Sequence, residues 1–108
     1  MCEYKTLKNM PHGQVCLCGQ CNRLQVAFCT TVVSFSREQF YDFITTVDTL
    51  YKQYNLHLCR DKKMVHVPLP AKGVAMICSI NELKVLLYLL VEGRNSLEYE
   101  EIFTFSKN

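Results

Sequence analysis

The chain has 108 residues, a net charge of +2, 49% apolar residues and 20% charged residues. These values are typical of one folded domain and exclude a disordered chain or a pair of ordinary domains. The twelve Lys and Arg are dispersed, which does not favour a nucleic-acid surface. No apolar run approaches the roughly 18 residues of a membrane span, and the N-terminus lacks an apolar export signal, so we expect a cytoplasmic protein.

A polar N-terminal arm, residues 1–13, precedes the first predicted strands. Two β-prone stretches, residues 14–18 and 24–28, flank a small polar turn and form a predicted hairpin. A third stretch, rich in β-branched residues, lies at 30–35 and extends the hairpin into a β-meander over residues 14–35. The sequence therefore predicts three antiparallel strands before the first helix.

A helix is predicted over residues 36–54. Ser36 as the N-cap and Gln39 three residues later form a capping box, which marks a helix N-terminus. Apolar and aromatic residues then recur with helical periodicity along one stripe: Phe40, Phe43, Ile44, Val47, Tyr51 and Tyr54. The helix is therefore amphipathic, and this stripe is its predicted contact with the core.

A second hairpin and a second helix are predicted in the C-terminal half. Residues 64–80 contain two β-type stretches around a turn with proline and glycine. Ser79 and Glu82 form another capping box, which begins a helix over residues 80–92. Gly93 is interpreted as the residue that ends this helix, because glycine accepts the left-handed conformation common after a helix C-terminus.

Residues 93–108 are predicted to form a C-terminal tail, either a docked strand or a frayed end. The resulting element order is β-β-β-α-β-β-α within one domain over residues 1–108. Hairpin connections favour antiparallel pairing, and two amphipathic helices can cover one face of the sheet. We therefore predict an α+β fold, a single two-layer domain with an antiparallel sheet and two helices.

Seven cysteines are the most informative feature of the composition. Without an export signal, and with an odd count, a complete set of disulfides is disfavoured, and reduced thiols that bind a metal explain the content better. Cys18 and Cys21 have the C-x-x-C spacing that lets two thiolates bind one ion. Asn22 follows them and tolerates the left-handed backbone that such a turn needs.

A tetrahedral structural zinc site needs two further ligands. Cys2 and His12 lie on the N-terminal arm, which has no evident apolar anchor, so a shared metal would explain how the arm is held. The predicted zinc site therefore consists of Cys2, His12, Cys18 and Cys21. The spacing leaves open that Cys16 or Cys29 takes the place of Cys2 or His12.

Other interpretations of the thiols are also considered. All seven can instead be small buried hydrophobes, as free cysteines often are. A thioredoxin-like dithiol is disfavoured, because that motif needs a helix N-terminus and Cys21 precedes a predicted strand. The sequence contains no Walker, nucleophile-elbow, dinucleotide-binding or H-E-x-x-H motif, so no catalytic residue is predicted.

Several short motifs are shared with a known family. They are an early cysteine, the run HGQVCLCGQC, the stretch 35–47 and the closing segments VHVPLP and SINELKVLLYLL. The chain thereby resembles a family of small, functionally uncharacterised proteins from bacteria of the Bacteroidetes group. The resemblance implies that Cys18 and Cys21 are the family's C-x-x-C and that Cys16 is an extra cysteine of this chain. It supports His12 as a ligand and implies no established activity.

The sequence predicts a non-enzymatic binding or adaptor module that is stabilised by structural zinc and has an unidentified protein partner. A thiol redox or metal-handling protein is the alternative function, and a zinc-ribbon-like nucleic-acid binder is a weaker one. An uncovered edge strand can pair two copies, so a homodimer is among the expected assemblies. No membrane partner is expected.

Overall fold

The computed structural model of the chain describes residues 3–107 and the side chains of residues 3–102. Its elements in chain order are β1 (Tyr4–Met10), β2 (Gly13–Cys18), β3 (Leu24–Phe28), β4 (Thr31–Phe35), α1 (Arg37–Tyr54), β5 (Val65–Pro68), β6 (Ala75–Cys78) and α2 (Ile80–Lys107). This order confirms the predicted α+β class and adds one strand at the N-terminal end. Among the described residues, no helix has the length and apolar character needed to cross a membrane.

The four N-terminal strands form one antiparallel sheet in the order β1-β2-β3-β4, while β5 and β6 form a separate two-stranded sheet. Both helices pack on the same face of the larger sheet. The ring centroid of Phe43 in α1 lies 4.9 Å from that of Phe35 in β4. Gly93 of α2 lies against the side chain of Val15 in β2. The core therefore lies between one sheet face and two helices, as predicted for a two-layer domain.

Strand β1 occupies much of the region predicted as an unanchored arm, so that prediction is wrong for the described residues. β1 pairs with β2 along its whole length, with a bulge between Thr6 and Lys8. Leu7 at the bulge is buried, while most other side chains of the strand are exposed. With one buried apolar residue, β1 lacks the alternation of apolar and polar residues from which strands are predicted. The strand forms because β2 supplies its backbone hydrogen bonds, and a partner strand cannot be seen in the local sequence.

Both predicted capping boxes are confirmed. The backbone N–H of Gln39 donates to Oγ of Ser36, and the N–H of Ser36 donates to Oε1 of Gln39. Ser79 and Glu82 make the same reciprocal pair at the start of α2, with distances of 3.1 and 2.9 Å. The predicted apolar stripe of α1 is buried at Phe40, Phe43, Ile44 and Val47. Local polar chemistry thus sets where both helices begin.

The prediction that helix α2 ends at Gly93 is wrong, because the helix continues to Lys107. A Cβ added at Gly93 would lie 2.9 Å from Cβ of Val15, so this position has no room for a side chain. The glycine therefore permits a close helix–sheet approach and does not terminate the helix. Sequence alone cannot distinguish these two uses of glycine, because the space it leaves is occupied by a distant residue.

The C-terminal half of α2 covers residues predicted to form a tail, and it is attached to the rest of the fold. Leu97 is fully buried. Nζ of Lys5 in β1 lies 2.6 Å from Oε1 of Glu100. The hydroxyl of Tyr41 in α1 donates to Oε1 of Glu98 at 3.0 Å. The pKa of this hydroxyl is raised, mainly by burial and also by the neighbouring Glu98 carboxylate. These contacts with β1 and α1 stabilise helical structure beyond residue 93.

Candidate metal half-site and a second thiol recess

The turn that connects β2 to β3 contains the C-x-x-C pair, and we call residues 18–22 the thiol knuckle. The backbone N–H of Cys21 donates to Sγ of Cys18 at 3.4 Å, and the N–H of Asn22 donates to the Cys18 carbonyl at 3.0 Å. Asn22 has a φ of 59°, which confirms the left-handed conformation predicted for it. The N–H of Cys18 donates to the Arg23 carbonyl and closes the turn.

The two thiols of the knuckle differ in their environment. Cys18 is completely buried, and Cys21 is exposed. A backbone N–H that points at a sulfur stabilises its thiolate form, which is the form that binds metals. An exposed Cys21 also leaves a route from solvent to the turn. This arrangement can supply two ligands to one metal ion from a short stretch of backbone.

The N-terminal end of the described chain contacts the knuckle. The carbonyl of Glu3 accepts a hydrogen bond of 3.0 Å from the N–H of Gly19. Cys2, the third predicted ligand, lies outside the described residues and directly precedes Glu3 in the sequence. The described contact therefore brings the residue next to Cys2 in the chain onto the thiol knuckle.

The structure does not bring His12 to the same place. His12 lies in the turn between β1 and β2, and the knuckle begins at the other end of β2. Six strand residues separate the two ends of β2, a span of about 20 Å. One ion cannot bind His12 and Cys18 over that distance, because zinc–ligand bonds are only about 2.0 to 2.3 Å long.

The two alternative ligands lie in different places, Cys16 two residues before Cys18 on β2 and Cys29 at the other end of β3. Cys16 is buried and its Sγ lies 3.9 Å from Oγ1 of Thr6 on the neighbouring strand. Cys29 lies beyond the far end of β3. In the part of the chain that the structure describes, no three His, Cys, Asp or Glu side chains are grouped to hold one metal ion. The described residues thus place two thiols, those of Cys18 and Cys21, in one turn, without a third candidate ligand grouped with them.

A second feature, which we call the Cys29 recess, lies at the opposite end of β3. Cys29 is exposed, has a φ of 54°, and its N–H donates to the His12 carbonyl at 2.8 Å. The recess has a volume of about 220 Å³ and is lined by His12, Phe28, Cys29, Asn81, Glu82 and Val85. The sequence offered one overlooked signal. A two-residue hairpin loop favours positive φ at its first residue, and here that residue is Cys29.

Lys63, Glu82 and Cys78 lie close together beside the Cys29 recess and influence one another's pKa values. Lys63 and Glu82 make a close ion pair. Burial alone would raise the pKa of Glu82, but the hydrogen bonds from Lys63 and Ser79 outweigh it, so the pKa of this carboxyl is below its usual value. Cys78, at the end of β6, is buried. The pKa of its thiol is raised to about 11, mainly by this burial and also by the negative charge of Glu82. Cys78 is therefore a poor nucleophile at neutral pH.

The comparisons with known proteins establish a family without an activity. No curated protein and no solved structure matches this chain. All of the chain, residues 1–108, matches a family described as a family of unknown function (DUF6686). The chain therefore belongs to the DUF6686 family.

Proposed function

We propose that this protein is a non-enzymatic binding module in which a zinc ion fastens the N-terminal strand to the first hairpin. Cys18 and Cys21 are the central ligands. The observation that carries the proposal is the hydrogen bond from the N–H of Cys21 to Sγ of Cys18. A second described feature, the left-handed Asn22, gives the turn the tight backbone that lets two thiolates converge.

Cys2 is the third ligand in this proposal, because it directly precedes the residue whose carbonyl is bonded to Gly19. We omit His12, which lies at the other end of β2. Bound zinc would supply folding free energy by joining thiolates from separate parts of the chain. Three protein ligands leave the fourth position of a tetrahedral zinc to water. The role we propose is nevertheless structural, because the metal would fasten β1, which contributes only one buried apolar residue of its own.

The direct test is the zinc content of purified protein, measured by elemental analysis together with the thermal midpoint Tm. We expect one zinc per chain in the wild type. The variants Cys18→Ser, Cys21→Ser and Cys2→Ser should each lose the metal and have a lower Tm, because a structural zinc contributes directly to folding.

Matched controls use thiol and imidazole groups outside the thiol knuckle. Cys59→Ser changes an exposed cysteine in the loop between α1 and β5, and His12→Ala changes the ligand that we have omitted. Both variants should keep the zinc. A wild-type protein that is folded without metal, with a Tm unaffected by Cys18→Ser, would contradict the proposal.

A second candidate function, thiol redox chemistry, is supported by the Cys29 recess. Cys29 is exposed and shares an apolar recess with His12. In this function the Cys29 thiolate attacks one oxygen of hydrogen peroxide, the O–O bond breaks, the sulfur becomes a sulfenic acid, and the other oxygen leaves as hydroxide, which takes a proton from solvent. Reversible oxidation of Cys29 in zinc-free protein, detected by mass spectrometry, would favour this function. Cys59 is the internal reference, because it is also exposed but does not line the recess.

A further inference from the structure

Arg37 contacts both the thiol knuckle and the last turns of α2, and we call residues 94–107 the C-terminal segment of α2. Nη2 of Arg37 donates to Oδ1 of Asn22 at 3.0 Å. Nη1 of the same guanidinium forms an ion pair with Oε1 of Glu101. An arginine can make both contacts at once, because its donors are fixed in one planar fork. One side chain therefore joins the knuckle to the C-terminal segment.

The position of Arg37 follows from the register of the sheet and from the cap of α1. Leu24 pairs with Phe35, so the end of the thiol knuckle lies beside the end of β4. Phe35 is buried and Ser36 caps the helix, which makes Arg37 the first residue of α1. The guanidinium thus lies beside Asn22 because of strand register and a capping box.

Asn22 contributes more to the knuckle than its backbone conformation. Its φ of 59° lies in the left-handed region, which glycine adopts even more readily than asparagine. The side-chain oxygen of Asn22 is also the acceptor for Arg37, and glycine has no such group. Replacing Asn22 by glycine would therefore keep the turn and remove the contact with Arg37.

The C-terminal segment of α2 is attached to the fold largely by polar contacts. Leu97 is its last buried residue among the described side chains. Beyond it, Glu98 contacts α1, Glu100 contacts β1 and Glu101 contacts Arg37. A helix end with little apolar burial opens locally at a low free-energy cost. Loss of one polar contact should therefore change how often this segment opens.

We propose that Arg37 couples the thiol knuckle to the C-terminal segment of α2, so that a metal bound in the knuckle stabilises the helical structure of that segment. The effect of the metal rests on the proposed function, whereas the contacts of Arg37 do not. Zinc with three thiolates has a net negative charge, which a guanidinium beside Asn22 offsets. Loss of such an outer group typically lowers metal affinity about 10- to 100-fold.

Zinc binding and docking of the C-terminal segment are linked equilibria in this proposal. Each must favour the other by the same factor, because coupling between two sites is reciprocal. The side chains of Arg37 and Glu101 are 33% and 45% exposed, so we expect the modest factor of about three that suits a partly exposed ion pair. Backbone amides of the segment should therefore exchange more slowly when the knuckle holds zinc.

The test is hydrogen–deuterium exchange of residues 98–107 in the full chain with and without zinc, together with zinc affinity measured by competition with a chromophoric chelator. In the wild type, zinc should slow this exchange about threefold. Arg37→Gln and Asn22→Gly should each lower the zinc affinity about tenfold and abolish the effect of zinc on exchange. Glu101→Gln should lower the affinity only about threefold and also abolish that effect.

Two further variants separate the coupling from charge and from general stability. Arg37→Lys keeps the positive charge but cannot make both contacts, so zinc should no longer slow the exchange of residues 98–107. Arg60→Gln is the matched control, since the Arg60 guanidinium also bonds two partners, Asn55 and Asn81, outside the knuckle and the C-terminal segment. It should leave both measurements unchanged. Circular dichroism checks that every variant is folded.

The outcomes distinguish this inference from the proposed function. A wild type that binds no zinc would contradict the proposed function, and the metal-free samples then test the contacts of Arg37. In those samples Arg37→Gln and Asn22→Gly should each speed the exchange of residues 98–107 about threefold, and wild-type exchange in both would overturn the coupling. If zinc binds, the coupling is overturned when zinc slows exchange equally in the wild type and in Arg37→Gln.

Discussion

Two turns flank strand β3, and each contains a cysteine and one residue with positive φ. At the thiol knuckle that residue is Asn22, and the neighbouring Cys21 has ordinary backbone geometry. At the Cys29 recess the cysteine itself has the positive φ. Asparagine tolerates the left-handed region, whereas for most other residues it costs roughly 1 to 2 kcal/mol. The first turn is therefore encoded locally, and the second is imposed by the hairpin that contains it.

The two ends of β2, next to these two turns, also differ in how much space surrounds the backbone. At the knuckle, a Cβ added to Gly19 would come no closer than 4.0 Å to the Glu3 carbonyl. At the other end of β2, a Cβ at Gly13 would collide with the Ala27 carbonyl and lie 2.9 Å from Cδ2 of Leu89. The backbone of the knuckle thus has room around it at Gly19, while the opposite end of β2 is confined by sheet and helix. The following experiments test this contrast.

The largest expected difference is in thiol reactivity at a pH of about 7.5, measured by alkylation and mass spectrometry. Cys78 should react more than about a hundredfold more slowly than Cys29, because burial raises its thiol pKa from 9.0 to about 11. Cys21 and Cys29 are both exposed. Of these two exposed thiols, bound zinc should protect Cys21 and not Cys29, and a chelator should remove that protection. Equal reactivity of Cys21 and Cys29 before chelation would argue against the zinc site.

The next largest effect is expected from a methyl group added at either end of β2. Gly13→Ala should lower the free energy of unfolding by about 3 kcal/mol, because the confined backbone cannot move away from the new Cβ. Gly19→Ala is the matched variant and should change it by less than about 0.5 kcal/mol. Urea denaturation measures both. A Gly13→Ala protein as stable as Gly19→Ala would show that the end of β2 near the Cys29 recess is not confined.

Substitutions at the two residues with positive φ should change the free energy of unfolding by smaller amounts, with a loss at Asn22 and a gain at Cys29. Asn22→Val should lower the free energy of unfolding by about 1.5 kcal/mol, because a β-branched residue is strained at positive φ. Cys29→Asn should raise it by about 0.5 kcal/mol, since asparagine relieves the strain. Cys59→Asn in the exposed loop is the neutral reference. Destabilisation by Cys29→Asn would mean that the thiol makes contacts worth more than the strain.

The smallest effect is expected from the charge of Glu82 beside the Cys29 recess. Glu82→Gln can keep the capping box, as Gln39 does in α1, and loses only the ion pair with Lys63. We expect a fall in Tm of roughly 3 °C at neutral pH. The folded-state pKa of Glu82 is below its ordinary value of 4.5, so its contribution is present above that value and is lost as the pH falls through the folded pKa.

The control for this charge is Glu38→Gln, which removes an acidic residue from the first turn of α1. Thermal denaturation of both variants between a pH of about 3 and about 7 should show a difference for Glu82→Gln that disappears in acid. A difference that persists in acid would assign the effect to packing and not to charge.

Prediction from sequence succeeded where a few neighbouring residues decide the structure. The capping boxes at Ser36 and Ser79 and the left-handed Asn22 each depend on contacts within three or four residues. It failed where the deciding partner is far along the chain. Strand β1 depends on β2 for its hydrogen bonds, and the role of Gly93 depends on Val15.

The candidate site divides in the same way. The sequence determined that Cys18 and Cys21 belong to one turn, because their spacing is local and a turn brings close neighbours together. Only the tertiary structure decided that His12 lies at the far end of β2 and that Cys29 shares a recess with it. These placements depend on strand register and on helix docking, which are set by burial summed over the whole core.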